Sequence, residues 1–303
     1  LYISRDKFDI DDFYPNLVEA FTFDDRIYGI AKDFSTLALF YNKEIFDKYK
    51  IAYPTNDDTW FDLLHKVTLL KERGYETPMS LAADFNRLIP VIHTFGGRLV
   101  KDDLSTALTE KEAVAALKFY VDLTSKYKVA LLPTTLGAGW LGDAYAKELT
   151  AIVMEGPWAL GYIREQFPNV ESKTGIVEIP GLVEKSSMIY TVAWSMNRQS
   201  PHKNEAWEVL KFLVTEGQEI FVQKAGVLGS RQSIAAKDKD PMKQVFYDSV
   251  TFGYPWRVPT PTGIFAKADD YLNSLLNDLF AGRITIEKAV DTIEKNYDSW
   301  VKQ

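Results

Sequence analysis

The chain has 303 residues, enough for two domains or one large one with a sizeable core, and its 46% apolar and 25% charged residues are an ordinary globular composition. A net charge of −7 with no run of lysines or arginines argues against a nucleic-acid backbone as partner, because no basic excess exists to displace counterions. Zero cysteines exclude disulfides, thiolate nucleophiles and thiolate metal sites. No stretch approaches the roughly 18 uninterrupted apolar residues of a membrane-spanning helix. The chain opens Leu1-Tyr2-Ile3-Ser4-Arg5-Asp6, with neither an initiator methionine nor a basic-then-apolar leader, so the expectation is that something upstream has been removed.

In chain order, residues 8–18 are acidic and aromatic and read as an irregular segment entering a short helix. Asp24-Asp25 fits a hairpin turn between 19–23 and 26–30. Residues 37–41 form a strand, followed by a helix over 44–49. Thr59 is the N-cap of a helix over 60–73, with Leu63, Leu64, Val67 and Leu70 at helical spacing and Gly74 at its end. An apolar segment over 88–95 is closed by Gly96-Gly97. Thr109-Glu110-Lys111-Glu112 resembles a capping box ahead of an amphipathic helix over 113–126, with Leu117, Tyr120, Val121 and Thr124 on one face. The Gly-rich stretch 131–143 reads as loop, with Trp140 inside it.

Residues 151–154 then make a short buried strand, which Gly156-Pro157 breaks while presetting the first turn of a helix. Trp158 falls at this strand-to-helix corner. Unpaired N–H groups, partial positive charge and a broad indole face there suit a polar ligand with a flat side, and Glu155 adds an ionised acceptor. A core tryptophan beside an ordinary turn is the other local reading. Strands over 174–180 and 188–196, helices over 204–215, 216–225 and 242–250, and a Pro- and Gly-rich loop over 252–264 follow. Helices over 265–281 and 285–302, separated by Gly282, close the chain. Short strands alternating with helices favour an α/β architecture with a largely parallel sheet and a site in loops at strand ends.

Phosphate-cradling glycine motifs, Gly-x-Ser-x-Gly and His-Glu-x-x-His are all absent. His65, His93 and His202 stand far apart and read as packing or surface residues, so no metal and no cofactor is expected. Carboxylates are plentiful, and a two-carboxylate glycoside hydrolase with Glu155 as one partner is the alternative to simple binding. The same acid beside an aromatic also accepts hydrogen bonds from sugar hydroxyls without chemistry. Asp33, Ser35 and Thr36 precede one strand end, and Asp84, Asn86 and Arg87 precede the 88–95 segment; capping and turn formation explain such residues equally well. Arg231 follows a Gly-rich turn and Trp256 lies in the Pro-rich loop, where an arginine fork and an indole are further candidates for ligand contact.

Several pieces occur in a recognisable order: Arg26-Ile27-Tyr28-Gly29-Ile30, Leu39-Phe40-Tyr41-Asn42-Lys43-Glu44-Ile45-Phe46, Thr59-Trp60-Phe61-Asp62-Leu63-Leu64, Phe95-Gly96-Gly97-Arg98-Leu99, Met154-Glu155-Gly156-Pro157-Trp158, Asn204-Glu205-Ala206-Trp207 and Ala281-Gly282-Arg283. Each is weak alone, but over most of the chain together they resemble the extracellular solute-binding proteins of carbohydrate ABC importers, the family of maltose-binding protein.

That resemblance implies a two-lobed periplasmic-binding-protein-like α/β fold with a hinge and a sugar in the cleft. It places 1–32 in lobe 1, 33–190 in lobe 2, 191–238 back in lobe 1 and 239–303 as the C-terminal helices of lobe 2. It also implies that the first strands of lobe 1, ahead of the point matching Leu1, are missing here, which would leave apolar sheet edges uncovered. Trp158 matches the family's sugar-stacking tryptophan. Asp84 and Asn86 match a loop that usually supplies an acid and an aromatic, so the asparagine argues for a sugar other than maltose. Asp33 and Ser35 fall where the hinge strand faces the cleft. Arg87, Glu155, Arg231, Trp194 and Trp256 complete the expected ligand-binding set. The implied function is delivery of a mono- or oligosaccharide to the membrane permease of an ABC importer, without catalysis. The implied location is periplasmic or extracellular, with a possible lipid anchor.

Overall fold

The computed structural model describes residues 2–103, 105–255 and 265–301. Two short helices, α1 (Tyr2–Arg5) and α2 (Pro15–Glu19), lead into the hairpin β1 (Thr22–Phe23) and β2 (Arg26–Ile27). Asp24 and Asp25 have φ of 46° and 56°, the left-handed pair whose twist matches that of the strands they join. β3 (Ile30–Thr36) and β4 (Ala38–Asn42) follow with only Leu37 between them. After α3 (Lys43–Lys48) and α4 (Trp60–Glu72) come β5 (Met79–Ser80), α5 (Phe85–Thr94), α6 (Lys111–Ser125), β6 (Ala130–Leu131), α7 (Leu141–Ala146), β7 (Ile152–Glu155) and α8 (Pro157–Gln166). The short α9 (Pro168–Glu171), β8 (Thr174–Val177) and β9 (Ser187–Trp194) lead to α10 (Lys203–Leu213), α11 (Glu216–Ala225), α12 (Gln232–Ala235) and α13 (Pro241–Ser249). β10 (Gly253–Pro255), α14 (Phe265–Phe280) and α15 (Ile286–Val301) end the series.

Besides the hairpin, the strands form a five-stranded sheet, β6-β5-β7-β4-β8, and a three-stranded one, β10-β9-β3. The expected largely parallel arrangement is corrected here: β4 runs antiparallel to both β7 and β8, and β3 antiparallel to β9. Among the strands of the described residues, only the β5–β6, β5–β7 and β9–β10 pairs are parallel. The reason is connectivity. β4 enters the larger sheet directly off β3, whereas β5 and β6 are joined by a helical crossover, which returns a strand in the same direction.

Every residue of β4 and β7 is buried, and apart from the terminal Asn42 and Glu155 these strands are apolar runs without polar alternation. Leu39, Tyr41, Ile152 and Met154 face a core shared with α4, α5, α6, α14 and α15. Phe40 and Val153 face the other way, into a core with Tyr145, Leu160 and Phe246. A third cluster gathers Phe13, Ile30, Trp207, Leu210 and Val214 around the smaller sheet.

Local capping follows the sequence in one place and departs from it in another. The Thr59 hydroxyl accepts from the Asp62 N–H while the Asp62 carboxylate accepts from the Thr59 N–H, a complete capping box. At α6 no such box forms: the helix starts at Lys111 behind Glu110, which makes no side-chain cap. The apolar segment before Gly96 is the helix α5, with Pro90 inside it. Trp140 is the N-cap residue of α7 within the stretch expected to be loop.

A β-bulge places Lys32 as an extra residue between the pairs Ala31–Ala193 and Asp33–Val192. Side chains satisfy the carbonyls that it frees. The buried Gln218 amide donates to the Lys32 carbonyl at 2.9 Å and to Ser230 Oγ at 2.7 Å. Ser230 Oγ in turn donates to the Ala31 carbonyl at 2.7 Å.

Candidate functional site

The corner after β7 is built from three consecutive residues. Gly156 is extended, Pro157 occupies the first helical turn with its fixed φ, and the Trp158 ring folds back over Gly156. A Cβ on Gly156 would lie 2.2 Å from Trp158 Cζ3, so only glycine admits this ring position. The indole stays 39% exposed. It meets the Tyr190 ring edge-to-face at 5.7 Å, and the Arg87 guanidinium carbon stands 5.9 Å from its centroid.

Glu155, the last residue of β7, is 1% exposed. Arg87 Nη2 donates to both of its oxygens at 3.0 Å, and the Gly156 N–H donates to Oε2 at 3.2 Å. The other guanidinium nitrogen donates to Asp84 Oδ2 at 2.9 Å and to the Tyr190 hydroxyl at 3.4 Å. Asp84 is the N-cap of α5: its Oδ1 accepts from the Asn86 N–H at 3.0 Å and from the Asn86 side-chain amide at 3.2 Å. Burial works against both charges of the central pair. It pushes the Glu155 carboxyl up while Arg87, Gly156 and Trp158 pull it back. Burial also lowers Arg87, but Glu155, Tyr190 and Asp84 outweigh this and hold the guanidinium above its ordinary value. The net result is a guanidinium held firmly in its charged form beside a carboxyl raised above its ordinary value.

Tyr190 and Asp269 belong to this cluster and were missed from the sequence. Burial raises Tyr190, with Arg87 opposing. Asp269 on α14 is raised by burial and then by Asp84 and Asp270, while Asn273 and Asn86 donate to it. The Asn273 side-chain Oδ1 accepts from the Phe85 N–H at 2.7 Å, which pins α14 to the start of α5. The sequence does carry a trace of it that went unread, a polar pair at 269 and 273, i and i+4 beside the apolar stripe Ala268, Leu272 and Leu276.

The remaining sequence candidates divide. Ser35 is the cross-strand partner of Tyr190, and Asp33, paired opposite Val192, shares that face and forms an ion pair with Lys32 at 3.0 Å. Trp194 sits at the far end of β9 opposite Ile30 and is not brought to the cluster. Nor is Arg231: its Nε donates to Asp12 at 2.6 Å and its guanidinium lies over the Phe13 ring. Trp256 lies outside the described residues. His93 is buried and stacked on Tyr254 at 3.9 Å, while His65 and His202 are exposed. Among the described residues no group of three or more acidic or histidine side chains is arranged to hold a metal ion.

A cleft of about 710 Å³ opens beside Trp158 and Ser35. One wall is α8, with Trp158, Gly161 and Arg164. The other is the C-terminal part of α11 and the turn after it, Gln223 to Val227, and the 237–243 segment closes one end.

The model of the family described as bacterial extracellular solute-binding protein matches residues 4–220. The chain belongs to that family. Among curated members, an ABC transporter extracellular-binding protein of Pyrococcus horikoshii is 27% identical over 254 residues, 78% of this chain and 56% of that protein. The galactooligosaccharide-binding protein of Bacillus subtilis is 22% identical over 304 residues, 94% of this chain and 70% of that one. The chain thus spans little more than half the length of the first of these relatives. Among solved structures, the sugar-binding protein MalE of Xanthomonas citri superposes with a TM-score of 0.86 at 18% identity, over 99% of this chain and 78% of that one. An ABC substrate-binding protein of Listeria monocytogenes in complex with cycloalternan gives 0.83 at 24%, over 98% and 78%. These likenesses establish the two-lobed solute-binding fold. No helix among the described residues is long and apolar enough to cross a membrane.

Proposed function

We propose that this chain forms the greater part of a solute-binding protein that holds a mono- or oligosaccharide between two lobes and delivers it to the permease of an ABC importer, outside the cytoplasmic membrane, without catalysis. The half-exposed Trp158 ring carries the reading. It is propped by Gly156, Tyr190 and Arg87 and borders a 710 Å³ cleft, a rigid apolar plate beside polar groups. A sugar's C–H face stacks on such a plate, and Asp84, Asn86, Asp269 and Ser35 supply hydroxyl partners around it. Arg87 and Glu155 hold the plate in position. The family membership supports this reading, as do a relative that binds galactooligosaccharides and a fold neighbour that holds cycloalternan.

The proposed lobes are 1–32 with 191–238, and 33–190 with 239–303. The chain changes sheet at Leu37, between β3 and β4, a few residues beyond the proposed 32/33 boundary, and this supports a crossing in that region. Closure of the lobes on a ligand contacted better in the closed state is a population shift. The glycoside hydrolase alternative needs a carboxyl free to move a proton, and both Glu155 oxygens are held by Arg87. A calorimetric and thermal-shift screen of mono- and disaccharides tests the proposal. Saturable binding without product formation supports it; turnover of an oligosaccharide that is lost in Glu155→Gln rejects it.

A further inference from the structure

The cleft beside Trp158 reverses the sign of the rest of the chain. In a protein of net charge −7, its described lining carries Arg164, Lys224, Lys237, Lys239 and Lys243 against Glu219, Asp238 and Asp240, an excess of two positive charges. The acids are all engaged. Lys237 bonds Glu219 at 2.9 Å, Lys243 reaches Asp238 at 3.2 Å, and Arg164 holds both oxygens of Asp240. Lys224 and Lys239 meet no carboxylate among the described residues; the Lys239 ammonium rests on the Ala236 carbonyl at 2.7 Å.

The placement along α8 is directional. Trp158, Gly161 and Arg164 follow at i, i+3 and i+6, so the aromatic plate and the basic end are about 9 Å apart along the helix at 1.5 Å per residue. Between them Gly161 keeps the floor open, for a Cβ there would meet nothing within 4 Å. A flat ring on Trp158 therefore shares its cleft with the lysines, and a walled cleft with an excess of one sign concentrates the opposite charge.

We propose that the ligand is an anionic saccharide, bearing a carboxylate or phosphate that Lys224 and Lys239 hold within the cleft. This rests on the saccharide reading above and narrows its substrate class. The anion displaces no existing ion pair, because these two ammonium groups have no carboxylate to give up. Such a charge-assisted contact favours the anion over its neutral counterpart by about ten-fold at low salt.

Calorimetric titration of the chain with galactose, galacturonate and galactose 6-phosphate, and with lactose and digalacturonate, tests this. The expected result is an anion preference of about ten-fold that shrinks as sodium chloride rises and the Debye length falls to a few ångströms. A preference for galacturonate assigns the carboxylate, and one for galactose 6-phosphate the phosphate. The double variant Lys224→Gln/Lys239→Gln removes the preference, while Lys111→Gln/Lys203→Gln, an equal loss of charge outside the cleft, keeps it. Neutral sugars binding as tightly as both anions, or a preference that survives in the cleft variant, overturns the inference and leaves the saccharide reading standing. Binding of no sugar, neutral or anionic, by a chain that melts cooperatively overturns both.

Discussion

Arg87 Nη2 lies 3.0 Å from each oxygen of Glu155, a buried ion pair that fastens the start of α5 to the end of β7. Removing Arg87 leaves the Glu155 carboxylate buried without a cation, whereas removing Glu155 leaves Arg87 its ion pair with Asp84. Arg87→Ala should therefore lower stability by about 3–5 kcal/mol, read by chemical denaturation, and Glu155→Gln by less. Replacing both with apolar residues, as in Arg87→Met/Glu155→Leu, should restore most of that loss. Equal destabilisation by the single and double variants contradicts a paired role.

Trp158 is predicted to act through its face. Trp158→Ala should weaken saccharide binding by roughly 1–3 kcal/mol, the scale of a buried aromatic contact, with little change in melting temperature because the ring is half exposed. Gly156→Ala should lower affinity without touching the ring's chemistry, since the new Cβ would occupy the space of Cζ3. Unchanged affinity in both variants removes Trp158 from the site.

His93 makes stability depend on acid. Burial, with Arg98 adding repulsion, pushes its pKa down to about 3. Between its ordinary value near 6.5 and about 3, the unfolded chain binds a proton that the folded chain refuses. Stability is therefore full above about pH 6.5 and falls as pH drops, by about 1.4 kcal/mol per unit well inside that window. In His93→Phe, which keeps a ring against Tyr254, the slope over this range should flatten in urea titrations at successive pH values.

Gln218 is predicted to hold the bulge and the returning chain together. Its amide nitrogen serves the Lys32 carbonyl and its oxygen accepts from the Arg231 N–H at 3.2 Å. Gln218→Leu orphans these buried groups at about 1–3 kcal/mol each. Hydrogen exchange should speed up at Arg231 and along β3, while β4 and β7 stay protected. Uniform loss of protection across both sheets would mean that the residue supports the whole fold.

The features legible in the sequence are those written in adjacent residues. Asp24-Asp25 marked its turn through tolerance of positive φ, Thr59 its helix through a capping hydroxyl just ahead of apolar residues at helical spacing, and Gly156-Pro157 its corner through backbone chemistry alone. The resemblance of ordered motifs supplied the family and the fold. What stayed hidden is long-range. Glu155 lies 68 residues from Arg87, and Tyr190 lies 103 from it, so no local pattern pairs them. Arg231 shows the same limit in reverse: an arginine after a glycine turn gave no sign that Asp12, 219 residues away, holds it. Strand direction failed for a related reason, because β4 takes its sense from β3 in the other sheet.

The extra residue at Lys32 also fixes which lengths of chain this protein tolerates. Beyond the bulge, Asp33 and Ser35 share a face with Val192 and Tyr190; before it, Ile30 lies opposite Trp194 and packs with Phe13 and Trp207. Deleting Lys32 would draw the pairs on either side of it into a regular ladder and take away the carbonyl that Gln218 holds, whereas deleting any other residue of β3 would exchange its side chains between faces, since they alternate with a period of two. Insertions and deletions in homologous chains should therefore avoid the seven residues of β3, whatever ligand each chain carries.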